Sequence, residues 1–183
     1  RASGGDFTKD FSHEFQTKCP AGEDLIFYVK SKNSAYNKEV APSKISVPNT
    51  QEDIKLMKKE HTPGVITIEG VTKALQTKAE RLVKTLIYKD IKGDFYAVAV
   101  RGDYDVNVLK LEKALDTTKM ELAEAKDVER ITGAKTGFAG LVNLNKDIPI
   151  VYDDSLEGAV NMIIGANQTD YHYVNANFEI DIK

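Results

Sequence analysis

The chain has 183 residues, of which 42% are hydrophobic and 29% charged, as is typical of a soluble globular protein that can bury a core. Its net charge of −3 argues against broad electrostatic binding of nucleic acid, and no apolar run approaches the length of a membrane-spanning helix. A single cysteine excludes an internal disulfide, so we expect a cytoplasmic protein.

The N-terminal part predicts two strands and a connector. FSHEFQTK (11–18) and EDLIFYVK (23–30) are strand-like and are separated by the turn-forming CPAG. Residues 31–64 contain three of the five prolines and predict a connector with one short helix near Glu52–Lys59. We therefore predict a first domain over 1–49 and a second over 50–183.

After HTPG the pattern becomes regular. Apolar residues at helical spacing predict an amphipathic helix over 67–79. The β-branched and aromatic segments VKTLIY (83–88) and DFYAVAVR (94–101) predict the two strands of a hairpin. Asp105 is positioned to cap the next helix, which carries Val108 and Leu111.

Shorter elements complete the chain. MELA predicts a short strand, and DVERITG a short helix capped by Asp127 and ended by Gly133. IPIVYD predicts a buried strand, LEGAVNMIIGAN a helix over 155–164 ended by Gly165, and HYVNANFEID a half-buried strand. Because helices and strands alternate irregularly, we predict an α/β (α+β) fold with a mixed sheet.

The stretch TGAKTGFAGLVNL (132–144) contains three glycines, so the chain either turns sharply there or is approached closely by another group. Known phosphate-binding loops do not match it. A Walker loop would need glycine at Ala134, and the dinucleotide fingerprint would need glycine at Lys135. The sequence also lacks GxSxG, HExxH and CxxC, so motifs alone give little support for an enzyme.

One short span is basic, in contrast to the acidic chain as a whole. It is either a local patch that holds an RNA substrate or a solvated helix face followed by a strand end. The residues are Lys78, Arg81, Lys84, Lys89 and Lys92.

Several segments together resemble a known family. GDFYAVAVRGDYDVNVLKLEKAL, ERITGAKTGFAGLVNL, IPIVYDDSL and GANQTDYHYVNANFEIDIK occur in the order found in the editing (insertion) domain of bacterial-type prolyl-tRNA synthetases, members of the YbaK-like deacylase superfamily. SGGDFTKDFSHEFQTKCPAGEDLIFY resembles the part of the class II catalytic domain after motif 2, and HTPGVITIEGV the entry into the insertion. The resemblance covers essentially the whole chain and implies a fragment of a longer synthetase.

The resemblance implies a mixed, partly barrel-like sheet flanked by helices, and an aminoacyl-ester deacylase activity. The expected substrate is alanine wrongly attached to the acceptor end of the proline tRNA, and the expected partners are that tRNA and the remainder of the synthetase, with no membrane. No cofactor or metal is expected for editing, whereas ATP and Mg²⁺ would serve only the intact synthetase.

The resemblance also implies the site residues. Lys84 matches the lysine that the superfamily keeps on this strand, Gly137 belongs to the GxxxP loop, and Asp153 and His172 match an aspartate and a pocket histidine; these four are the predicted catalytic residues. The predicted substrate-binding residues follow from the same loop: Gly133, Phe138, Ala139, Gly140 and Leu141.

Other interpretations stay open from the sequence. Lys84 could point to solvent, Asp153 could only cap a helix, and His172 could be a buried histidine with its hydrogen bonds satisfied. Leu141 replaces the loop proline, which would fix φ and stiffen the backbone. It therefore favours an alternative in which the domain binds the tRNA acceptor end, or only supports the catalytic domain, without hydrolysis. A free-standing protein acting in trans is disfavoured by SGGDFTKDFSHEF.

Overall fold

The computed structural model describes residues 2–3, 11–44, 51–145 and 147–182. The chain divides into two units, one of residues 1–44 with 107–119 and one of residues 45–106 with 120–183. The predicted boundary between residues 49 and 50 lies outside the described residues. No helix in the described part is long and apolar enough to cross a membrane. The strands, in chain order, are β1 (Ala2–Ser3), β2 (Phe11–Ser12), β3 (Ile26–Val29), β4 (Ser34–Asn37), β5 (Lys58–His61), β6 (Val83–Lys89), β7 (Phe95–Arg101), β8 (Glu121–Leu122), β9 (Ile150–Tyr152), β10 (Met162–Gly165) and β11 (Tyr171–Ala176), and the α-helices are α1 (Ile68–Ala74), α2 (Val108–Ala114) and α3 (Ala125–Thr132).

The first unit is built from two antiparallel strand pairs, β1 with β2 and β3 with β4, together with α2. The cap of α2 is Asn107 rather than the predicted Asp105. Its side-chain oxygen accepts a hydrogen bond from the backbone amide of Lys110 at 3.1 Å. The amide side of Asn107 also donates to the carbonyl of Glu39, so that one residue both caps the helix and ties it to the preceding segment.

The four-stranded sheet of the second unit has the order β8-β6-β7-β9. The predicted hairpin is confirmed, since β6 and β7 pair antiparallel from Val83–Arg101 to Lys89–Phe95. Asp90 forms the turn, because its carboxylate accepts hydrogen bonds from the amides of residues 92 and 94. The predicted strands at 120–123 and 148–153 are confirmed as β8 and β9, and β9 runs parallel to β7.

The three-stranded sheet has the order β10-β11-β5, with both pairs antiparallel. Two sequence predictions were wrong here. The helix predicted over 155–164 is instead a short 3-10 turn at 154–156 followed by β10. All four residues of β10 are buried, and an apolar run buried on both faces lacks the periodicity that separates strand from helix. The helix predicted near Glu52–Lys59 is likewise wrong, since β5 occupies its end and pairs with β11.

Helix α3 packs its apolar face, Val128 and Ile131, into the core of the second unit. The predicted cap, Asp127, lies within the helix and pairs with Arg130 at 2.8 Å. Gly133 ends the helix with φ of 82°, as predicted. The fold is therefore α+β, as predicted, and in the described residues no sheet closes into a barrel.

Candidate active site

A cavity of about 400 Å³ lies in the second unit beside β6. Its walls are formed by residues 66–71 at the start of α1, by β6, by residues 136–139 after α3, and by parts of β10 and β11. Four of the predicted site residues line this cavity together: Lys84, Gly137, Ala139 and His172. Most of the remaining wall is apolar: Val71, Leu82, Val83, Ile87, Val128 and Ile163.

Lys84 supplies the only charged side chain among the described residues that line the cavity. The side chain is 23% exposed, and its Nζ donates a 2.8 Å hydrogen bond to Oδ1 of Asp105. Asp105 is almost wholly exposed, and the adjacent ammonium lowers the pKa of its carboxyl group. A substrate oxygen carrying negative charge could therefore take the place of this carboxylate without opening the core.

His172 lies on β11 and is buried, at 5% exposure, in the wall of the cavity. Its Nδ1 shares a 2.6 Å hydrogen bond with the hydroxyl of Thr62, and its ring packs against Phe138 with centroids 5.6 Å apart. Burial lowers the pKa of His172 below its usual value. The imidazole is therefore neutral near pH 7, and it is held in one orientation by two neighbours.

The lowered pKa of His172 predicts a pH dependence of stability. Well above pH 6.5 the ring is neutral in both the folded and the unfolded chain. As the pH falls from 6.5 towards the lower pKa of the folded state, the unfolded chain gains a proton that the folded chain does not. The free energy of unfolding therefore decreases over this range. His172→Gln should remove this contribution, which is at most about 1.4 kcal/mol per pH unit. Denaturant unfolding of both proteins at pH 7.5 and 5.5 tests it, and equal losses on acidification would contradict it.

The three glycines of the 132–144 stretch have different structural tasks. Gly133 ends α3 in the left-handed region. Gly137, with φ of 100°, lines the cavity, and a Cβ there would lie 2.6 Å from Cβ of Ile66. Gly140 packs against β10, where an added Cβ would overlap the carbonyl oxygen of Gly165. Of the three, Gly137 is the one that leaves bare backbone at the cavity.

Asn167 fastens this loop to the end of β10. Its Oδ1 accepts a 2.7 Å hydrogen bond from the amide of Gly140, and its Nδ2 donates to the carbonyls of Gly140 and Val142. The backbone amide of Asn167 donates to the carbonyl of Phe138 at 3.0 Å. Four hydrogen bonds from one residue hold the loop backbone, which therefore has a source of rigidity other than proline at position 141.

The other predicted site residues lie outside the cavity lining. The side chains of Phe138 and Leu141 are buried in the core, although the ring of Phe138 supports His172. Asp153 is exposed and caps the 3-10 turn, where its Oδ1 accepts a 3.0 Å hydrogen bond from the amide of Ser155. Gly133 and Gly140 shape the loop, and their roles towards a substrate remain predictions.

Sequence reasoning did not single out Thr62 or Asn167. Thr62 precedes Pro63 in the HTPG segment, and Asn167 lies in the GANQTD segment. HTPG marks the start of the regular pattern, and both segments contribute to the family resemblance. A threonine or asparagine in a turn is usually explained by local hydrogen bonds, so no local signal shows that these two bond to residues far along the chain.

The fold is that of the aminoacyl-tRNA editing domains. The family description "Aminoacyl-tRNA editing domain" matches residues 62–181, and the chain belongs to this family. Among curated proteins it is similar to proline–tRNA ligases: 45% identical over 166 residues to that of Caldicellulosiruptor saccharolyticus and 39% identical over 181 residues to that of Fusobacterium nucleatum. These alignments cover 91% and 98% of this chain but only 28% and 32% of the relatives.

Solved structures support the fold. A proposed trans-editing enzyme for prolyl-tRNA synthetase superposes with a TM-score of 0.56 at 20% identity, covering 64% of this chain and 74% of that one. A hypothetical protein gives a TM-score of 0.58 at 24% identity, with 64% and 79% coverage. At these identities the likeness concerns the fold.

Proposed function

We propose that this chain is the editing domain of a cytoplasmic proline–tRNA ligase, and that it hydrolyses the ester joining alanine to the 3′-terminal adenosine of the proline tRNA. The observation that carries the proposal is the composition of the cavity. It combines apolar walls, one ammonium group at Lys84, a neutral buried histidine and a bare backbone position at Gly137. The relatives are proline–tRNA ligases, which supports this choice of amino acid and tRNA.

An editing domain compensates for the limited selectivity with which a synthetase distinguishes proline from alanine. The pocket in which a synthetase attaches proline to its tRNA cannot strongly exclude the smaller alanine. Each missing methylene changes the binding free energy by only about 1–3 kcal/mol. A second pocket that admits alanine but rejects proline removes the error after it is made. The bulk of the His172 ring, braced by Thr62 and Phe138, is suited to setting that size limit.

Hydrolysis of this ester needs positioning more than a nucleophile. An aminoacyl ester is already activated, so a held water molecule and a polarised carbonyl suffice. Lys84 would bind the phosphate or ribose of the terminal nucleotide, since an ammonium suits a point of negative charge. With the nucleotide fixed there, the ester would lie beside Gly137, which lines the cavity without a side chain of its own and lets Ile66 pack closely against it.

A domain that binds the acceptor end without hydrolysis was suggested by Leu141. Two observations weigh against it. The Leu141 side chain is buried in the core, and Asn167 holds the loop backbone by hydrogen bonds. The lack of proline at position 141 therefore need not leave the loop loose, and hydrolysis is the function that we propose.

The test is single-turnover deacylation of alanyl-tRNA and prolyl-tRNA, both made on the proline tRNA. We expect the protein to release alanine well above the buffer rate and to leave the prolyl ester intact. Cleavage of both esters would contradict the proposed size selection. Cleavage of neither, by this chain or by the full synthetase, would overturn the hydrolytic function and favour the binding-only domain.

A further inference from the structure

Thr85 is unusual among the residues that line the cavity. It lies on β6 between Val83 and Ile87, on the strand face that these two apolar residues share, and all three line the cavity. Its Oγ1 is buried and makes no hydrogen bond within the protein. In the part of the chain that the structure describes, the only other buried side-chain oxygen or nitrogen in this state is Oγ of Ser155, which does not line the cavity.

A buried hydroxyl without a partner is costly to the fold, and valine would fill the same space without the penalty. The threonine at this position is therefore not explained by packing. A buried group left unpaired in a folded protein calls for an explanation, and a functional role at a binding site is one of those known.

The backbone carbonyl of Thr85 points away from β7. The carbonyl of Leu82 bonds to the amide of Gly102 on the β7 side, whereas the carbonyl of Ile87 accepts from Ala123 on the opposite side. Because backbone groups alternate along an antiparallel strand, the carbonyl of Thr85 points the same way as that of Ile87. The described strand on that side, β8, pairs only with the last two residues of β6, Tyr88 and Lys89. It therefore does not pair with Thr85.

The other polar side chains of the cavity are already engaged or exposed. The hydroxyl of Thr67 accepts from the amide of Gly70, Nζ of Lys84 binds Asp105, Nδ1 of His172 binds Thr62, and Thr136 is exposed. No aspartate or glutamate is found among the described residues of the lining. A positively charged or hydrogen-bond-donating group in the cavity therefore meets no carboxylate there, and it is held by neutral acceptors: hydroxyl or carbonyl oxygens, or the second ring nitrogen of His172.

We propose that the hydroxyl and carbonyl oxygens of Thr85 bind the α-amino group of the aminoacyl ester. This inference rests on the proposed function and names the substrate group that the unpaired hydroxyl recognises. With Lys84 on the terminal nucleotide and Thr85 on the amino group, the ester is fixed at both of its ends.

The test compares alanyl-tRNA with propionyl-tRNA, in which hydrogen replaces the amino group, in wild type, Thr85→Val, Thr85→Ala and Thr85→Ser. Both apolar variants should lower the single-turnover rate for the alanyl ester roughly tenfold or more and leave the propionyl rate within about twofold. Thr85→Ser should stay close to wild type with both esters. Since the hydroxyl has no partner, the denaturation midpoint of Thr85→Val should not fall.

Ser155→Ala is the matched control, because it removes the other buried unpaired hydroxyl away from the cavity; it should leave both rates unchanged. Equal losses for both esters in Thr85→Val would overturn the inference, and so would wild-type rates for both. In either case the wild-type protein still cleaves alanyl-tRNA, so the proposed function survives. If the wild type cleaves no alanyl ester, the proposed function fails and this inference fails with it.

Discussion

Replacing Lys84 with alanine is expected to lower the single-turnover rate of alanyl-tRNA deacylation by about 100-fold. Lys84 is the sole charged side chain among the described residues of the cavity lining, and a cavity with apolar walls strengthens its attraction for an anionic group. The substitution should lower the rate of turnover and leave the free energy of unfolding nearly unchanged. The carboxylate that pairs with Lys84 in the free protein is almost wholly exposed, so the ion pair contributes little to stability.

Two further variants make this prediction specific. Lys73 is a lysine in a 2.7 Å ion pair with Glu69 on the surface of α1, and Lys73→Ala should keep the wild-type rate. Lys84→Arg keeps the charge but replaces a compact ammonium with a larger planar group, so an intermediate rate is expected. A wild-type rate in Lys84→Ala, with the denaturation midpoint unchanged, would contradict the proposed role of this residue.

The strands β6 and β7 illustrate what the sequence can predict. Each has a dense run of β-branched and aromatic residues, and a short turn with aspartate at both ends joins them. Every one of these signals is local, because an antiparallel hairpin pairs residues that are close in the sequence. The hairpin that carries Lys84 could therefore be predicted without any knowledge of the rest of the fold.

Strand β10 illustrates the opposite case. Met162 and Ile164 are wholly buried, and Ile163 on the other face is buried against Val71 and Leu82, so apolar residues follow one another without alternation. The preceding acidic and serine residues resemble a helix start, and the following glycine resembles a helix end. Only tertiary contacts decide between strand and helix for such a segment.

The candidate site shows the same division. Lys84 and His172 were predicted through family resemblance, and the structure brings both to one cavity with Gly137. The partner of His172 could not be predicted, since Thr62 lies 110 positions away and its hydroxyl has no sequence signature. The two glycines that meet between the loop and β10 are hidden for the same reason, because each alone is explained by a turn or a helix end.

The close backbone contact between Gly140 and Gly165 predicts a large effect of substitution on stability. A Cβ on Gly140 would overlap the carbonyl oxygen of Gly165 and lie 2.6 Å from its carbonyl carbon, and a Cβ on Gly165 would overlap the carbonyl oxygen of Ala139. Both obstacles are backbone atoms, which cannot move aside as a flexible side chain can. Gly140→Ala should therefore lower the free energy of unfolding by about 3 kcal/mol, or the melting temperature by roughly 6–12 °C.

Gly158→Ala separates this steric effect from the general cost of replacing glycine. Gly158 has φ of 63°, and an added Cβ would meet nothing within 4 Å, so only the strain of the left-handed conformation, about 1–2 kcal/mol, is expected. Gly140 carries no such strain, and its predicted loss comes entirely from the contact with β10. Thermal unfolding of the two variants beside wild type measures the difference, and a Gly140→Ala protein as stable as Gly158→Ala would show that the loop can move off the strand.

Because the same contact holds Ala139 and Gly137 at the cavity, a Gly140→Ala protein that stays folded should also deacylate alanyl-tRNA more slowly.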